Sequence, residues 1–365
     1  MWAQEINCLR RFAAAAAAAS AVVLAGAAAH AAELSAEMKA VVAEANKEGA
    51  LKVIWPGNLL GGARGLATIE QNMNKMFGSQ VKMSHTPTGS LIQLAFQIAN
   101  EAKAKTPAGT DVYIAVSNVL PMMAENNLLT KVDWQKLLPG RVTPAIVELD
   151  GGVLRLASTM YGVTYNTKLV PSPPQTLEGW LAPQFKGKLA TNPQGVALDV
   201  LAANDIMGRD KALDFVKRFS PQVAGLINCT DQNRVGTGEF AAMMFDCGPI
   251  DAIKMKEAGL PVDQLLLRDY TPLSYFYGLV PSNAQHPNAA KLLIAYLVTE
   301  EGQRLQWDLW RADLHQLPGS KLAARLDAAV RNGAKPVEVD ARWYMTHPEA
   351  TAARNDILKI IREGR

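Results

Sequence analysis

Five polar residues in the first third of the chain have the chemistry of a site that binds a small solute through hydrogen bonds. They are Asn58, Thr88, Ser90, Ser117 and Asn118. Each follows a short apolar strand pattern, and the first two loops open helices, where free backbone N–H groups favour ligand binding. Each residue also has an alternative role as an ordinary helix cap or turn residue. Because each residue lies just after a strand, we expect the five side chains to share one edge of the sheet, where a solute would bind.

The residue patterns of common catalytic and metal sites are missing from the sequence. The histidines are scattered, and no HxH, HExxH or CxxC motif occurs, so we predict no metal site. The sequence has no GxSxG motif, and residues 86–90, TPTGS, lack the lysine of a phosphate-binding loop. The adjacent pair Glu300 and Glu301 stands at a helix end and is interpreted as solvated. We therefore predict neither enzyme activity nor a cofactor.

Cys229 and Cys247 each follow a short apolar run, GLIN and MMFD. The segment between them has the length of one parallel crossover connection. If the two strands are neighbours, the cysteines meet at one end of the sheet and form a disulfide. Two free thiols are the alternative.

Strand and helix patterns alternate along most of the chain. Three repeats between residues 35 and 118 indicate a parallel, doubly wound sheet, which binds ligands beyond the carboxyl ends of its strands. A second α/β block begins after Gln194. We predict for it helices at 196–207, 210–219 and 249–258 and strands at 223–227 and 241–245.

Composition and charge restrict the class of protein. A chain of 365 residues that is 49% hydrophobic has the size of about two domains. Its net charge of +3 comes without a cluster of basic residues, which excludes nucleic-acid partners. Arg10 and Arg11, the apolar run 12–28 and Ala29-His30-Ala31 predict a signal peptide cleaved near Ala31. A membrane anchor is the alternative, and both the general secretory and the twin-arginine export routes stay open.

Several segments, in this order, carry a resemblance to a known family. They are AEANKEGALKVIW at 43–55, YGVTYNTKLVPSPPQTLEGWLAPQFKGKLATNP at 161–193 and GLVPSNAQHPNAAKLLIAYLVTEEGQ at 278–303. With the signal sequence, they resemble type II periplasmic solute-binding proteins of ABC importers, in the branch for iron(III), polyamines, thiamine, phosphonates or sugar phosphates. The resemblance extends over essentially the whole chain after the signal. These motifs identify the architecture rather than the ligand.

The resemblance implies an α/β fold with two doubly wound α/β lobes joined by hinge strands, which close on a solute. It also implies a periplasmic monomer whose partners are a small-molecule solute and an ABC permease in the inner membrane. A solute receptor for a membrane sensor is an alternative with the same fold. The expected parts are a signal peptide at 1–31, lobe 1 at 32–158 plus 279–310, lobe 2 at 159–278, and a C-terminal helical segment at 311–365 that packs on the lobes.

The iron branch carries two adjacent tyrosines after a strand of the second lobe. At the matching place this chain has Asp246, Cys247, Gly248 and Pro249. Iron(III) requires several hard ligands, which Asp246 alone does not supply. We therefore expect a small polar organic solute, with iron(III) as the alternative.

On this fold, further residues are expected at the cleft. Asp246 is expected either to bind the solute or to cap the helix at Pro249. Tyr275 and Tyr277 share one face of a hinge strand, and we expect one of them at the cleft, with hinge packing as the alternative. Arg64 and Arg234 are considered as cations for an acidic solute, and solvent exposure is favoured for both. The complete additional set is Tyr161, Asn192, Gln194, Asp246, Tyr275 and Tyr277.

Overall fold

The computed structural model describes residues 34–364. The predicted signal peptide at 1–31 therefore lies outside the described residues. The strands in the described part are β1 (Ala50–Trp55), β2 (Lys82–Pro87), β3 (Tyr113–Val116), β4 (Val147–Glu148), β5 (Val153–Met160), β6 (Val163–Asn166), β7 (Leu189–Thr191), β8 (Val223–Leu226), β9 (Ala242–Met244), β10 (Val262–Leu265), β11 (Thr271–Leu279) and β12 (Pro336–Glu338).

The helices lie between these strands, and most of the C-terminal part of the described chain is helical. They are α1 (Ala36–Glu48), α2 (Gly62–Phe77), α3 (Leu91–Lys103), α4 (Leu120–Glu125), α5 (Trp134–Leu137), α6 (Arg209–Phe219), α7 (Asn233–Gly236), α8 (Pro249–Glu257), α9 (Pro287–Val298), α10 (Glu300–Trp310), α11 (Lys321–Arg331), α12 (Ala341–Thr346) and α13 (Pro348–Glu363).

The first block is built around β1, β2 and β3. β1 and β2 run parallel, and a bridge between Val53 and Val112 brings β3 beside them. β3 pairs antiparallel with the long strand β11, which also pairs with β5 and β12. The alternate residues Leu51, Val53 and Trp55 of β1 are buried, so one face of this strand packs into the core.

The second block contains a mixed sheet of five strands in the order β10-β6-β9-β7-β8. β7 pairs parallel with both β8 and β9, whereas β6 runs antiparallel to β9 and β10. The expected parallel pairing is therefore present within each block. β6, the strand that enters from the first block, runs antiparallel to both of its neighbours. The core beside this sheet contains Trp180, Phe215, Phe219 and Phe245.

The chain passes between the sheets at narrow points. It leaves the sheet of β5 at Tyr161-Gly162, directly before β6, and returns between Leu265 and Thr271. The two passages touch, because a Cβ atom added at Gly162 would lie 2.3 Å from the backbone oxygen of Leu265. Only glycine permits this close approach.

The strands β12, β11, β5 and β4 form one sheet in this order, which we call the central sheet. A third passage follows β12, which pairs with β11. The chain then enters α12 and α13, and α13 buries Ala350, Ala353, Ile357 and Ile361 in the core of the second block. α13 therefore packs against the second block. The exact limits of the lobes remain predictions.

The predicted helix at 196–207 is wrong. The structure has only a 3-10 turn, Asp199–Ala202, in this segment. Ala197, at φ +61°, bends the backbone away from a helix just before the turn. The bend brings Asp199 into the interior, where it binds Arg354.

Candidate functional site

A cavity of about 700 Å³ lies between the two blocks. Its walls are the loops that leave the carboxyl ends of β1, β2 and β3 on one side and of β7, β8 and β9 on the other. A volume of this size is in the range of sites that enclose small molecules. The residues predicted for ligand binding that line the cavity are Asn58, Thr88, Ser90, Ser117, Asn118, Tyr161 and Gln194.

The first wall combines capping and ligand-facing roles. Ser90 Oγ accepts a hydrogen bond of 3.3 Å from Gln93 N and caps α3, so the predicted alternative role applies to it in full. Asn58 precedes a short 3-10 turn, and its side chain makes no capping hydrogen bond there. Its amide is therefore available to hydrogen-bond within the cavity. The cavity also reaches the start of α3 at Leu91, where the helix dipole favours negative charge.

Asn118 contributes an unpaired acceptor atom to the cavity wall. Its Oδ1 atom is buried and has no partner in the described residues, although the side chain lines the cavity. A buried carbonyl oxygen without a donor costs about 1–3 kcal/mol. A donor on a bound solute would remove this cost.

The disulfide between Cys229 and Cys247 forms, with 5.6 Å between the Cα atoms. The two cysteines follow β8 and β9, which are not neighbours, because β7 lies between them. The bridge thus passes over the carboxyl end of β7, and both cysteines line the cavity. The predicted pairing is present, while the assumed adjacency of the strands is wrong.

Asn192 is the residue directly beneath this bridge, which corrects its predicted position at the cavity. Its side chain is 1% exposed, and its amide nitrogen lies 3.5 Å from both disulfide sulfur atoms. Its Oδ1 accepts a hydrogen bond of 2.8 Å from the backbone N–H of Gln194. Asn192 therefore holds the loop that presents Gln194 to the cavity.

Asp246 is also corrected, because it is fully buried behind the cavity wall. Its carboxylate accepts hydrogen bonds from the N–H groups of Gly162 and Gly248, from Thr164 Oγ1 and from Gln264 Nε2. Burial raises the pKa of Asp246 to about 6, against the opposing effect of these donors. The bond from Gly248 N–H lies just before α8, whose first turn has no side-chain cap, so Asp246 holds this loop and does not cap the helix.

The two tyrosines of β11 do not reach the cavity. They share one face, as expected, but the cavity is lined by Ser274 and Phe276 from the opposite face. Tyr275 packs under the guanidinium of Arg155, 3.8 Å from the ring centroid, and donates a hydrogen bond to Glu338. Tyr277 is buried beside it. Both belong to the packing behind the hinge, the alternative left open by the sequence.

Tyr161 lies at the first passage between the sheets and lines the cavity. Its backbone N–H donates to the oxygen of Pro272 at the second passage. Burial raises the pKa of Tyr161 to about 12, although a hydrogen bond with Ser274 opposes the shift. The hydroxyl is therefore protonated near neutral pH and is able to donate to a ligand.

Asp251 is a cavity residue that sequence reasoning missed. It stands in the first turn of α8, and its Oδ2 accepts a hydrogen bond of 3.3 Å from Gln232. Burial raises its pKa, and the positive charge of Lys254 opposes the shift. One feature of the sequence could have identified it. Asp251 stands in the first turn of the helix that follows Cys247, so its carboxylate lies at the same end of the sheet as the cysteine.

Arg354 and Tyr344 are the second omission, and they enter the cavity from the C-terminal segment. Asp199, which is 0% exposed, binds Arg354 Nη2 and accepts a hydrogen bond of 3.4 Å from the Tyr344 hydroxyl. Burial lowers the pKa of Arg354, but the Asp199 carboxylate outweighs this effect and raises it. Arg234, a cation considered from the sequence with solvent exposure favoured, forms an exposed ion pair with Glu239.

Two absences from the described residues bear on the type of site. In residues 34–364, no group of three or more histidine, cysteine, aspartate or glutamate residues is arranged to hold a metal ion. Within the same range, none of the helices has the length and apolar character that a membrane span requires.

Comparisons with known proteins give a family and several structural neighbours. A family model for bacterial extracellular solute-binding proteins matches residues 71–334. None of the curated protein sequences matches the chain significantly. The solved structures named below are each under 25% identical to it, so they establish the fold.

The chain is similar to the periplasmic binding protein AfuA from Actinobacillus pleuropneumoniae with exogenous fructose-6-phosphate bound, at 18% identity and a TM-score of 0.68, over 86% of this chain and 99% of that one. It is similar to an ABC transporter substrate-binding protein from Agrobacterium tumefaciens, at 16% identity, a TM-score of 0.69 and coverage of 87% and 97%. Iron-bound HitA from Pseudomonas aeruginosa has 21% identity, a TM-score of 0.63 and coverage of 86% and 99%. The predicted two-lobed α/β fold is confirmed.

Proposed function

The chain belongs to the bacterial extracellular solute-binding protein family, and from this premise we propose that it is the periplasmic solute-capturing component of an ABC importer. It takes up a small polar organic solute between its two lobes and delivers it to a permease in the inner membrane. The signal peptide expected at 1–31 directs it to the periplasm, where it acts as a monomer.

The observation that carries this proposal is the cavity between the two blocks. It is open to solvent on residues such as Asn58 and Thr230 and is lined from both sides by hydrogen-bonding side chains. The passages near Tyr161 and Pro272 lie side by side, which suits a hinge about which two rigid blocks close. Closure would remove the solute from water and create the surface that a permease distinguishes from the open form.

An organic solute fits the cavity better than iron(III). The structural neighbours include proteins described with fructose-6-phosphate, with spermidine or putrescine transport, and with iron. Asp251 is the one carboxylate among the lining residues that the structure describes, and no metal-binding cluster accompanies it in residues 34–364. Iron(III) prefers several oxygen ligands of this kind. A neutral polar lining with one carboxylate and one guanidinium suits an organic solute.

A thermal-shift screen of the protein tests this function. The panel contains carboxylates, phosphonates, sugar phosphates, polyamines, thiamine and ferric citrate. A ligand present at a hundred times its dissociation constant stabilises the folded state by about 2.7 kcal/mol. We expect at least one organic compound to stabilise the protein by this amount, and ferric citrate to leave it unchanged.

A matched pair of variants locates the binding site. Thr88→Trp fills the cavity wall, whereas Thr68→Trp adds the same side chain on the exposed face of α2. The first variant is expected to abolish the stabilisation by the solute, and the second to retain it. A panel without any stabilising compound, or a stabilisation that survives Thr88→Trp, would contradict the proposal.

A further inference from the structure

We propose that the solute is an organic anion, with a carboxylate or phosphate group that binds Arg354 and a hydroxyl or ammonium group that binds Asp251 and Asn118. The inference rests on the proposed function, because it names the chemistry of the solute in the same cavity. It follows from the unused hydrogen-bonding capacity of these three side chains.

Arg354 supplies the anion-binding end. It is the one lysine or arginine among the lining residues of the described chain, and its side chain is 22% exposed. Nη2 binds Asp199, while Nε is buried and has no acceptor in residues 34–364. A guanidinium has five donors in a planar fork that matches carboxylate and phosphate oxygens. Asp199 and Tyr344 thus fix the orientation of a cation that retains free donors.

The wall opposite Arg354 also favours negative charge. Residues 88–92 line the cavity where α3 begins, and this helix is 13 residues long. The N-terminus of such a helix carries a partial positive charge and free N–H groups. An anion is therefore met by donors from both blocks, which a closed complex requires.

The other end of the solute must donate hydrogen bonds. Asn118 Oδ1 is a buried acceptor without a donor in residues 34–364, and Asp251 uses Oδ2 for one long hydrogen bond of 3.3 Å. Both side chains line the cavity. A bare inorganic anion has no separate donor group for these acceptors, whereas a hydroxyl or ammonium group of an organic anion donates to them. A polyamine is disfavoured, because it has no group for Arg354 and finds one carboxylate among the described lining residues.

Isothermal titration calorimetry on the full chain tests the proposal with six probes: malate, fructose-6-phosphate, glutamate, spermidine, glucose and inorganic phosphate. At least one of the first three is expected to bind. Inorganic phosphate is expected to bind about tenfold or more weakly than that compound, since it lacks the second contact. Spermidine and glucose are expected not to bind.

Variants of both ends identify the contacts. Arg354→Gln is expected to lower the affinity for the organic anion roughly 10- to 100-fold, which is the effect of losing a charged hydrogen-bond donor. Because this change leaves the buried Asp199 carboxylate unpaired, the double variant with Asp199→Asn keeps the charge balance and is expected to show the same loss. Arg209→Gln removes an exposed arginine that pairs with Asp356 and serves as the control. Asp251→Asn is expected to lower the affinity for the organic anion and to leave the affinity for inorganic phosphate unchanged.

Several results would overturn the inference while the proposed function stands. They are binding of spermidine or glucose in place of the anions, and an anion affinity that the double variant leaves unchanged. If no probe binds and no compound of the thermal-shift panel stabilises the protein, the solute-binding function itself is contradicted.

Discussion

Asp246 joins segments of the second block that lie far apart in the sequence. Its two oxygens accept from Gly162 and Gly248 and from Thr164 and Gln264. It thereby fixes the first passage between the sheets against the loop that carries the disulfide. A buried carboxylate with four donors is a structural group, and its charge still costs desolvation energy.

The pH dependence of stability follows from this burial. The pKa of Asp246 rises from 3.8 to about 6 on folding, so the folded state binds more protons than the unfolded state between these values. The free energy of unfolding contributed by this group therefore falls as pH rises through the window, by about 3 kcal/mol in total. Urea unfolding of the wild type between pH 4 and pH 7 measures it.

Two variants separate this contribution from those of other groups. Asp246→Asn removes the titrating carboxyl and is expected to flatten the curve between pH 4 and pH 6. Asp308→Asn, at an exposed position of α10, is expected to keep the wild-type slope. Equal slopes for wild type and Asp246→Asn would show that the group does not titrate in this range.

At the residue scale, the sequence predicted one wall of the cavity better than the other. Asn58, Thr88 and Ser117 follow strands of the first block, so their position is a local property of the chain. Arg354 reaches the cavity through its contact with Asp199, 155 positions away, and no local pattern carries that information. The tyrosines of β11 were assigned to the wrong face, because alternation identifies a shared face without saying which face meets the cavity.

Among the elements, the disulfide gives the second wall its shape. It connects the loops after β8 and β9 across the end of β7, with Asn192 beneath it. Closing a loop with a sequence separation of 18 lowers the entropy of the unfolded chain and stabilises by roughly 3 kcal/mol. The same bridge holds Thr230 and Asp251 at fixed positions in the cavity wall.

Loss of the bridge is therefore expected to lower both stability and affinity. The double variant Cys229→Ser/Cys247→Ser should unfold at a lower urea concentration and bind the solute more weakly, because its cavity loops are less ordered. Reduction of the wild type with dithiothreitol should reproduce both effects and leave the double variant unchanged. An unaltered affinity after reduction would limit the bridge to a role in stability.

A second element-scale feature is the ion-pair cluster of Arg155, which joins β5, β11 and β12. Its guanidinium lies 2.6 Å from Glu148, 2.6 Å from Glu338 and 2.8 Å from Asp340, and it covers the ring of Tyr275. Arg155 and Glu148 are largely buried, so each depends on its partner for charge compensation. The cluster fastens the third passage of the chain to the central sheet.

Arg155→Met should reduce the free energy of unfolding by roughly 3–5 kcal/mol, because the buried Glu148 carboxylate loses its partner. Urea unfolding at pH 7.5 measures the change. The double variant Arg155→Met/Glu148→Gln should recover part of the loss, since it removes both charges. A cost below about 1 kcal/mol for the single variant would contradict the assigned role of the cluster.

The elements themselves were largely predictable. α2 and α3 follow apolar residues at helical spacing, and the caps at Ser90 and Gly78 define their ends. Six of the twelve residues at 196–207 are alanine, leucine or methionine, which favour helices, but tertiary contacts of Asp199 override this propensity. The order of strands in the second sheet depends on long-range pairing, so the position of β7 between β8 and β9 was beyond local patterns.

On the scale of the whole molecule, the chain passes three times between the blocks, after β5, before β11 and after β12. The first two passages are in direct contact at Gly162 and Leu265. The third adds α12, α13 and the cation of the cavity. A hinge made of three connecting segments permits the blocks to bend towards each other and limits their twisting. This suits a closing motion about one axis.

Solute binding is therefore expected to compact the protein. Small-angle X-ray scattering should give a smaller radius of gyration when the compound that stabilises the protein in the thermal-shift panel is saturating. The variant Arg354→Gln/Asp199→Asn, measured at the same solute concentration, should keep the larger value. An unchanged radius for the saturated wild type would show that the solute binds without closure.

The position of Arg354 has a consequence for how the protein becomes competent in the cell. The ribosome makes Asn58 and Thr88 early and Arg354 only after nearly the entire described chain, so a nascent or shortened polypeptide that ends before this residue has an incomplete cavity. Such a product lacks the guanidinium that Asp199 binds and the end of α13. If Arg354 binds the solute as proposed, solute capture depends on synthesis of the chain beyond this residue.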